Sequence, residues 1–286
     1  MTERVGRGYW DSSWEAEKRL PEAFDPAVKG VRSLFRRPFH RFIDDCVRRV
    51  AAPGSSLIEI GCGRSQLLPY FAKQFGLRVA GLDYSPIGCD KARQILRRER
   101  IDGEIYCGDL WTFDAFPSPG YDLVFSFGLV EHFENTAAVI GALARFARPG
   151  GALLTLIPNM RGSVGALQRT LSREIYDIHV PLSADDLSRA HMEAGLSVKG
   201  SGYLLPAHYG VCNQGTRMTT QRWQTRGRRF VHHAAVASST VLLWVHEYVV
   251  RLPATKWMSP YAFTLATTSL GEPAAGTHGS GGRATP

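Results

Sequence analysis

Lysine is scarce in this chain of 286 residues: six of its 34 basic residues are Lys, so the formal charge of +8 rests on arginine. Cysteine is sparse too. Cys46, Cys62, Cys89, Cys107 and Cys212 are odd in number and form no C-x-x-C pair. That excludes a disulfide framework and the usual zinc spacings, and predicts reduced thiols in the cytoplasm. Long apolar runs are missing as well. The opening MTERVGRGYWDSSWEAEKRLPEAF lacks the apolar segment of a secretory signal. The most apolar stretch, Phe230 to Val250, is broken by His232, His233, Ser238, Ser239, His246 and Glu247, which predicts no transmembrane span. With 44% hydrophobic and 21% charged residues, collagen-like, coiled-coil and wholly disordered readings fall away. The basic excess is either a solvated surface or a site for an anionic partner such as RNA, a phosphorylated substrate or a membrane.

What is present is a strand–helix alternation. Apolar residues at helical spacing predict a helix over Val31–Val50, ended by Pro53-Gly54. Strands follow at Ser56–Ile60, Leu77–Leu82, Glu104–Cys107, Tyr121–Phe127 and Ala152–Ile157, separated by helices at Gln66–Phe75, Pro86–Arg100 and Asn135–Arg148. Ser183 caps a further helix to Ala194, and strands at Leu196–Leu205 and Tyr261–Thr268 close the pattern. Such alternation predicts an α/β fold, a mostly parallel sheet with helices on both faces. Residues 1–30 read as an N-terminal arm, 31–205 as the core, and 206–258 as a helical insertion with an Arg-rich run at Arg217–Arg229. Residues 259–270 return as the last strand, and 271–286 have too little to bury and are expected to be disordered.

The strongest chemical signal is LIEIGCGRSQ at Leu57–Gln66, a buried strand and an acid before G-x-G. A dinucleotide fingerprint would need a small residue at position 66, where Gln66 stands. Glu59 before the glycines would repel a pyrophosphate but suits a cationic ligand. Asp83 ends the second strand, where a carboxylate can accept from two ribose hydroxyls. Asp109 follows the third, in YCGDL, in position to accept from an adenine amino group.

In this order and at these spacings EIGCG, GLDYS, CGDL, YDLVFSFGLVEHF and RPGGALLTLIPN resemble the class I S-adenosylmethionine-dependent methyltransferases, over Leu57–Ile157. The resemblance implies a Rossmann-like seven-stranded sheet with an antiparallel last strand inserted between the fifth and sixth, and S-adenosylmethionine as cofactor. It assigns Gly61, Cys62 and Gly63 to the methionine part, with Glu59 beneath. Asp83 falls to the ribose, Tyr84 to the adenine face, Asp109 and Leu110 to its amino edge, and Phe127 to the methionine amino group. The family's usual third glycine is replaced by Ser65.

Glu131-His132 resembles the end of the E-x-x-E-H metal motif of quinone and small-RNA methyltransferases, but the first acid is replaced by Gly128. One carboxylate and one His are too few for a closed site, so no metal is expected. His132 is a candidate base or a hydrogen-bond partner of the cofactor loop. His179 and Tyr176, in the segment after the fifth strand, are candidate acceptor contacts. Tyr9, Trp10 and Trp14 are candidates for a lid folded over the cofactor and for acceptor contacts. The expected activity is methylation of O, N or S on a small molecule, in specialised metabolism. An RNA methyltransferase using the basic insertion and a non-catalytic partner subunit are the alternatives, and the insertion is expected to cap the acceptor or form a homodimer contact.

Overall fold

The computed structural model describes residues 3–213 and 222–270, without the side chains of 222–225. The tail 271–286, Arg217, and the side chains of Arg222 and Trp223 therefore lie outside the described residues.

The strands are β1 (Ser56–Ile60), β2 (Arg78–Asp83), β3 (Gly103–Cys107), β4 (Tyr121–Phe127), β5 (Ala147–Pro158), β6 (Ser197–Leu204) and β7 (Tyr261–Thr267). They form one seven-stranded sheet in the order β3-β2-β1-β4-β5-β7-β6. Only β7 runs antiparallel to its neighbours, β5 and β6. Successive strand residues point to opposite faces, and both faces are covered. Leu57, Phe125 and Leu154 pack on α2 (Val31–Val50) and α3 (Leu67–Phe75). Ile58, Val124 and Leu153 pack on the other face, against α5 (Thr136–Ala144) and α8 (Ala184–Glu193). α4 (Pro86–Glu99) begins at Ser85, whose hydroxyl accepts from Gly88 N–H. β1 lies between β2 and β4, so strand order reverses there and a crevice opens at the carboxyl ends of these strands.

Three expectations change. The helix predicted over Asn135–Arg148 stops at Ala144, because β5 starts at Ala147 to pair with Tyr121. Residues 148–151 form the register shift in that pairing, with Gly150 at a φ of +72°. The N-terminal arm contains α1 (Arg7–Ala16), and the segment after β5 contains α6 (Ser163–Leu171) and α7 (Arg173–Asp177). These pieces are too short for a helical period to show in sequence. The insertion's helix, α9 (Arg222–Tyr248), starts inside the Arg-rich run instead of at Phe230.

Candidate active site

β1 leads straight into the glycine loop. Gly61 takes a φ of +79°, which favours a residue without Cβ. A Cβ on Gly63 would stand 2.9 Å from Asp83 Oδ2 and 3.0 Å from Trp14 Nε1. Gly63 N–H donates to Asp83 Oδ2 at 2.8 Å, and Ser85 N–H donates to Asp83 Oδ1 at 2.8 Å. The loop and the β2 acid therefore hold each other in place. Burial pushes the Asp83 carboxyl above its usual range, opposed by these N–H donors.

Glu59 lies under this loop, outside the cavity wall. Ser65 Oγ donates to Glu59 Oε2 at 2.5 Å and accepts from the N–H groups of Leu67 and Leu68 at the start of α3. Ser65 thus works as a helix cap at the position where a third glycine was the expectation. Burial drives the Glu59 carboxyl up to about 8. Cys62 is fully buried and faces Gly81, so only its backbone belongs to the loop surface. The side chains of Glu59 and Cys62 are therefore corrected from cofactor contacts to supports.

The crevice holds a cavity of about 350 Å³ lined by Gly61, Gly63, Asp83, Tyr84, Asp109, Leu110 and Phe127. Asp109 Oδ1 accepts from Trp111 N–H at 2.7 Å, fixing the turn after β3. Glu3, Trp111, Leu129 and Phe133 also line it. Trp111, two residues past Asp109, was within sight of the CGDL motif. Glu3 was not: a bridge to Phe133 brings it there, where it accepts from Tyr84 Oη–H at 2.6 Å.

α1 closes the cavity from above. Ser85 Oγ donates to Asp11 Oδ1 at 2.5 Å, and Lys91 donates to the carbonyls of Trp14 and Glu17. Trp10 stacks on Trp14 with ring centroids 5.6 Å apart. Trp10 and Trp14 both line this first cavity, so Trp14 sits on the cofactor side and not with the acceptor contacts.

A second cavity of about 290 Å³ adjoins the first and shares Trp10, Phe127 and Gly128 with it. Its wall includes Tyr9, Met160, Ile175, Ile178, Val211 and Tyr261, with Glu131, His132, His179, Gln168 and Asn213 as polar groups. Tyr176 is not in that wall. Ile175 and Ile178 share one face of the α7 turn, and Tyr176 points elsewhere, beneath the Arg169 guanidinium at 5.8 Å. Met160, Gln168, Val211 and Asn213 carried no sequence signal, since only the folding of α6 and the 209–213 turn gathers them.

The histidines are held in one tautomer. His132 Nδ1–H donates to Ile178 O at 3.0 Å and His179 Nδ1–H donates to Ile175 O at 2.6 Å. His179 Nε2 is then a lone-pair acceptor, whereas His132 also hydrogen-bonds the backbone of Gly128. The rings lie 4.7 Å apart, and Trp10 meets His132 edge-on at 5.1 Å. Burial drives His132 down to about 3, with His179 adding to the fall, and burial also lowers His179. His132 thus bonds the Ile178 carbonyl just past α7 and the backbone of Gly128, which lies in the wall of the first cavity. Glu131 is fully buried, which lifts its carboxyl to about 8, and its Oε2 has no partner among the described residues.

Glu131, His132 and His179 have ligand-type atoms within 4.8 Å of one another. The fold thus adds a second His to a pair that alone was too small for a metal. Glu131 Oε1 and His132 Nε2 are 4.0 Å apart.

Residues 58–155 match the family model described as "Methyltransferase domain". The chain is 25% identical over 155 residues to "Probable tocopherol O-methyltransferase, chloroplastic" of Oryza sativa subsp. japonica, covering 51% of this chain and 42% of that protein. It is 24% identical over 159 residues to norajmaline N-methyltransferase of Rauvolfia serpentina, covering 52% and 53%. Residues 58–155 thus carry a methyltransferase domain, and the chain is similar over that stretch to the class I S-adenosylmethionine-dependent methyltransferases. S-adenosylmethionine is the cofactor of this family, and the glycine cradle with Asp83 and Asp109 fits it. The chain spans about half the length of these two relatives, and their acceptor atoms differ. The fold alone is shared with the [4+2]-cyclase SpnF, at a TM-score of 0.58 and 17% identity over 94% of this chain and 97% of that one. Among the described residues, no helix is long and apolar enough to cross a membrane.

Proposed function

We propose that the protein methylates an O, N or S atom of a small acceptor with an apolar body, in specialised metabolism, the acceptor lying in the second cavity. The supporting observation is that this cavity adjoins the first, sharing Trp10, Phe127 and Gly128 with it. Bound S-adenosylmethionine supplies an activated methyl group on a sulfonium. The chain's own part is alignment: Gly61, Gly63, Asp83 and Asp109 hold the cofactor, and the apolar wall of the second cavity holds the acceptor body. The His179 Nε2 lone pair accepts a hydrogen bond from the acceptor's O–H or N–H, and the His132 ring beside it helps to aim the nucleophile. A His132 imidazole held near pKa 3 is a weak base, so the rate rests on proximity more than on proton abstraction.

The test is incubation with methyl-labelled S-adenosylmethionine and a small-molecule extract, with the His132→Ala variant alongside. Label in a low-molecular-weight product, reduced in the variant, is the expected result. Label in RNA only, or none in any fraction although the cofactor binds, overturns the reading.

A further inference from the structure

Outside both cavities, the largest apolar feature is the free side of α9. Leu243 and Ser239 are its buried side chains, whereas Phe230, Val241, Trp244 and Tyr248 are 75%, 60%, 50% and 56% exposed. At about 100° per residue these four fall within ~60° of one another, opposite the buried pair. Val249 and Val250 extend the exposed apolar surface past the helix end, at 65% and 56%. Within the insertion, Val211 and Asn213 line the second cavity, but no described residue of α9 does, so this helix is not itself the acceptor cap that was expected. α9 instead stands behind its wall: Tyr209 N–H donates to Ser239 Oγ at 3.2 Å, and Val211 and Asn213 follow in the wall itself.

The charges beside this face select its occupant. Arg226, Arg228, Arg229, Arg251 and Lys256 are exposed, and Glu247 is the one acid from Arg222 to Leu270. That acid is already held by Arg41 at 2.6 Å and by Arg251 at 3.1 Å. Two copies docked through this face would bring arginines against arginines with no free carboxylate between them. Exposed Trp and Tyr rings beside arginines suit the boundary of a bilayer, where rings sit at headgroup level and cations meet lipid phosphates.

The geometry points to α9 as an interfacial helix that docks the protein on the surface of an anionic phospholipid bilayer, lying in its plane without crossing it. This docking is independent of the methyl-transfer reading, since it uses neither cavity.

The experiment is co-sedimentation of the full chain with phosphatidylcholine vesicles, with and without phosphatidylglycerol. Binding to the anionic vesicles is expected, weakening about tenfold when salt is raised from roughly 0.05 to 0.3 M. The double variant Phe230→Ser, Trp244→Ser should lose at least about tenfold in partitioning while its cofactor affinity, read by calorimetry, stays unchanged. The variant Arg226→Glu, Arg229→Glu is the second probe, with the same expected loss. Absence of binding to phosphatidylglycerol vesicles at low salt overturns the proposal, as does equal binding by a folded double variant. So does a vesicle-free dimer that the serine substitutions dissociate, because the occupant would then be a second copy.

Discussion

The two cavities handle their polar groups in opposite ways. In the first, Asp83 and Asp109 are satisfied by backbone N–H groups of the chain. In the second, Glu131 Oε2 is unpartnered among the described residues, and the His179 imidazole presents a lone pair. Leaving a buried polar atom unpaired costs about 1–3 kcal/mol, so such atoms belong where a ligand offsets the cost. The one exception in the first cavity is Trp14 Nε1, and it comes from the arm. A wall whose polar groups are paired beforehand suits a single invariant ligand, whereas a wall with open valences is finished by its acceptor. Relatives with this domain accordingly differ in the atom they methylate.

The sharpest test removes a paired group. Asp83→Ala should weaken S-adenosylmethionine binding about 100-fold, or ~3 kcal/mol, by calorimetry, because the ribose loses its acceptor and the Gly63 loop its anchor. A folded variant with unchanged affinity would remove Asp83 from the site.

The complementary substitution touches only the second cavity. His132→Ala should lower kcat about 10- to 100-fold with cofactor affinity intact. If cofactor binding falls in parallel, the division between the cavities fails.

A smaller effect is expected from Glu131→Gln, seen in the dependence of Tm on pH. The folded protein keeps this carboxyl protonated up to about pH 8, whereas the unfolded chain releases the proton near 4.5. Stability from this group is therefore complete below pH 4.5 and is lost as pH rises toward 8. Glu131→Gln should lose less than the native protein between pH 6 and pH 9, by about 5 °C. Parallel curves would mean that Glu131 ionises freely in the fold.

The smallest effect is expected from chelation. If alignment by the two cavities carries the rate, transfer from the sulfonium needs no Lewis acid and EDTA should leave turnover within about twofold. Loss of activity restored by a divalent cation would turn the Glu131, His132 and His179 cluster into a metal centre.

The cofactor half of the molecule was legible because its signals are local. A strand end, a glycine turn and an acid are contiguous in LIEIGCG and GLDYS, and strand alternation fixes which side chains face the crevice. Gly63 and Asp83 needed only the parallel pairing of β1 and β2 to meet. The acceptor half lacks such signals. Tyr9, His132, Gln168, His179 and Val211 are far apart in sequence, and α1, α6 and α7 owe their order to tertiary contacts more than to periodicity. Tyr176 shows the limit most simply: one turn of α7 decides that its neighbours enter the cavity and it does not.

The sequence by itself determined the α/β alternation, the cofactor loop and its two acids, since these depend on period, turn chemistry and strand ends. Tertiary structure alone decided that Glu3 and Trp14 close the cofactor cavity and that His179 joins His132. It also decided that the apolar side of α9 faces outward, because which side of an amphipathic helix is covered depends on what packs beside it.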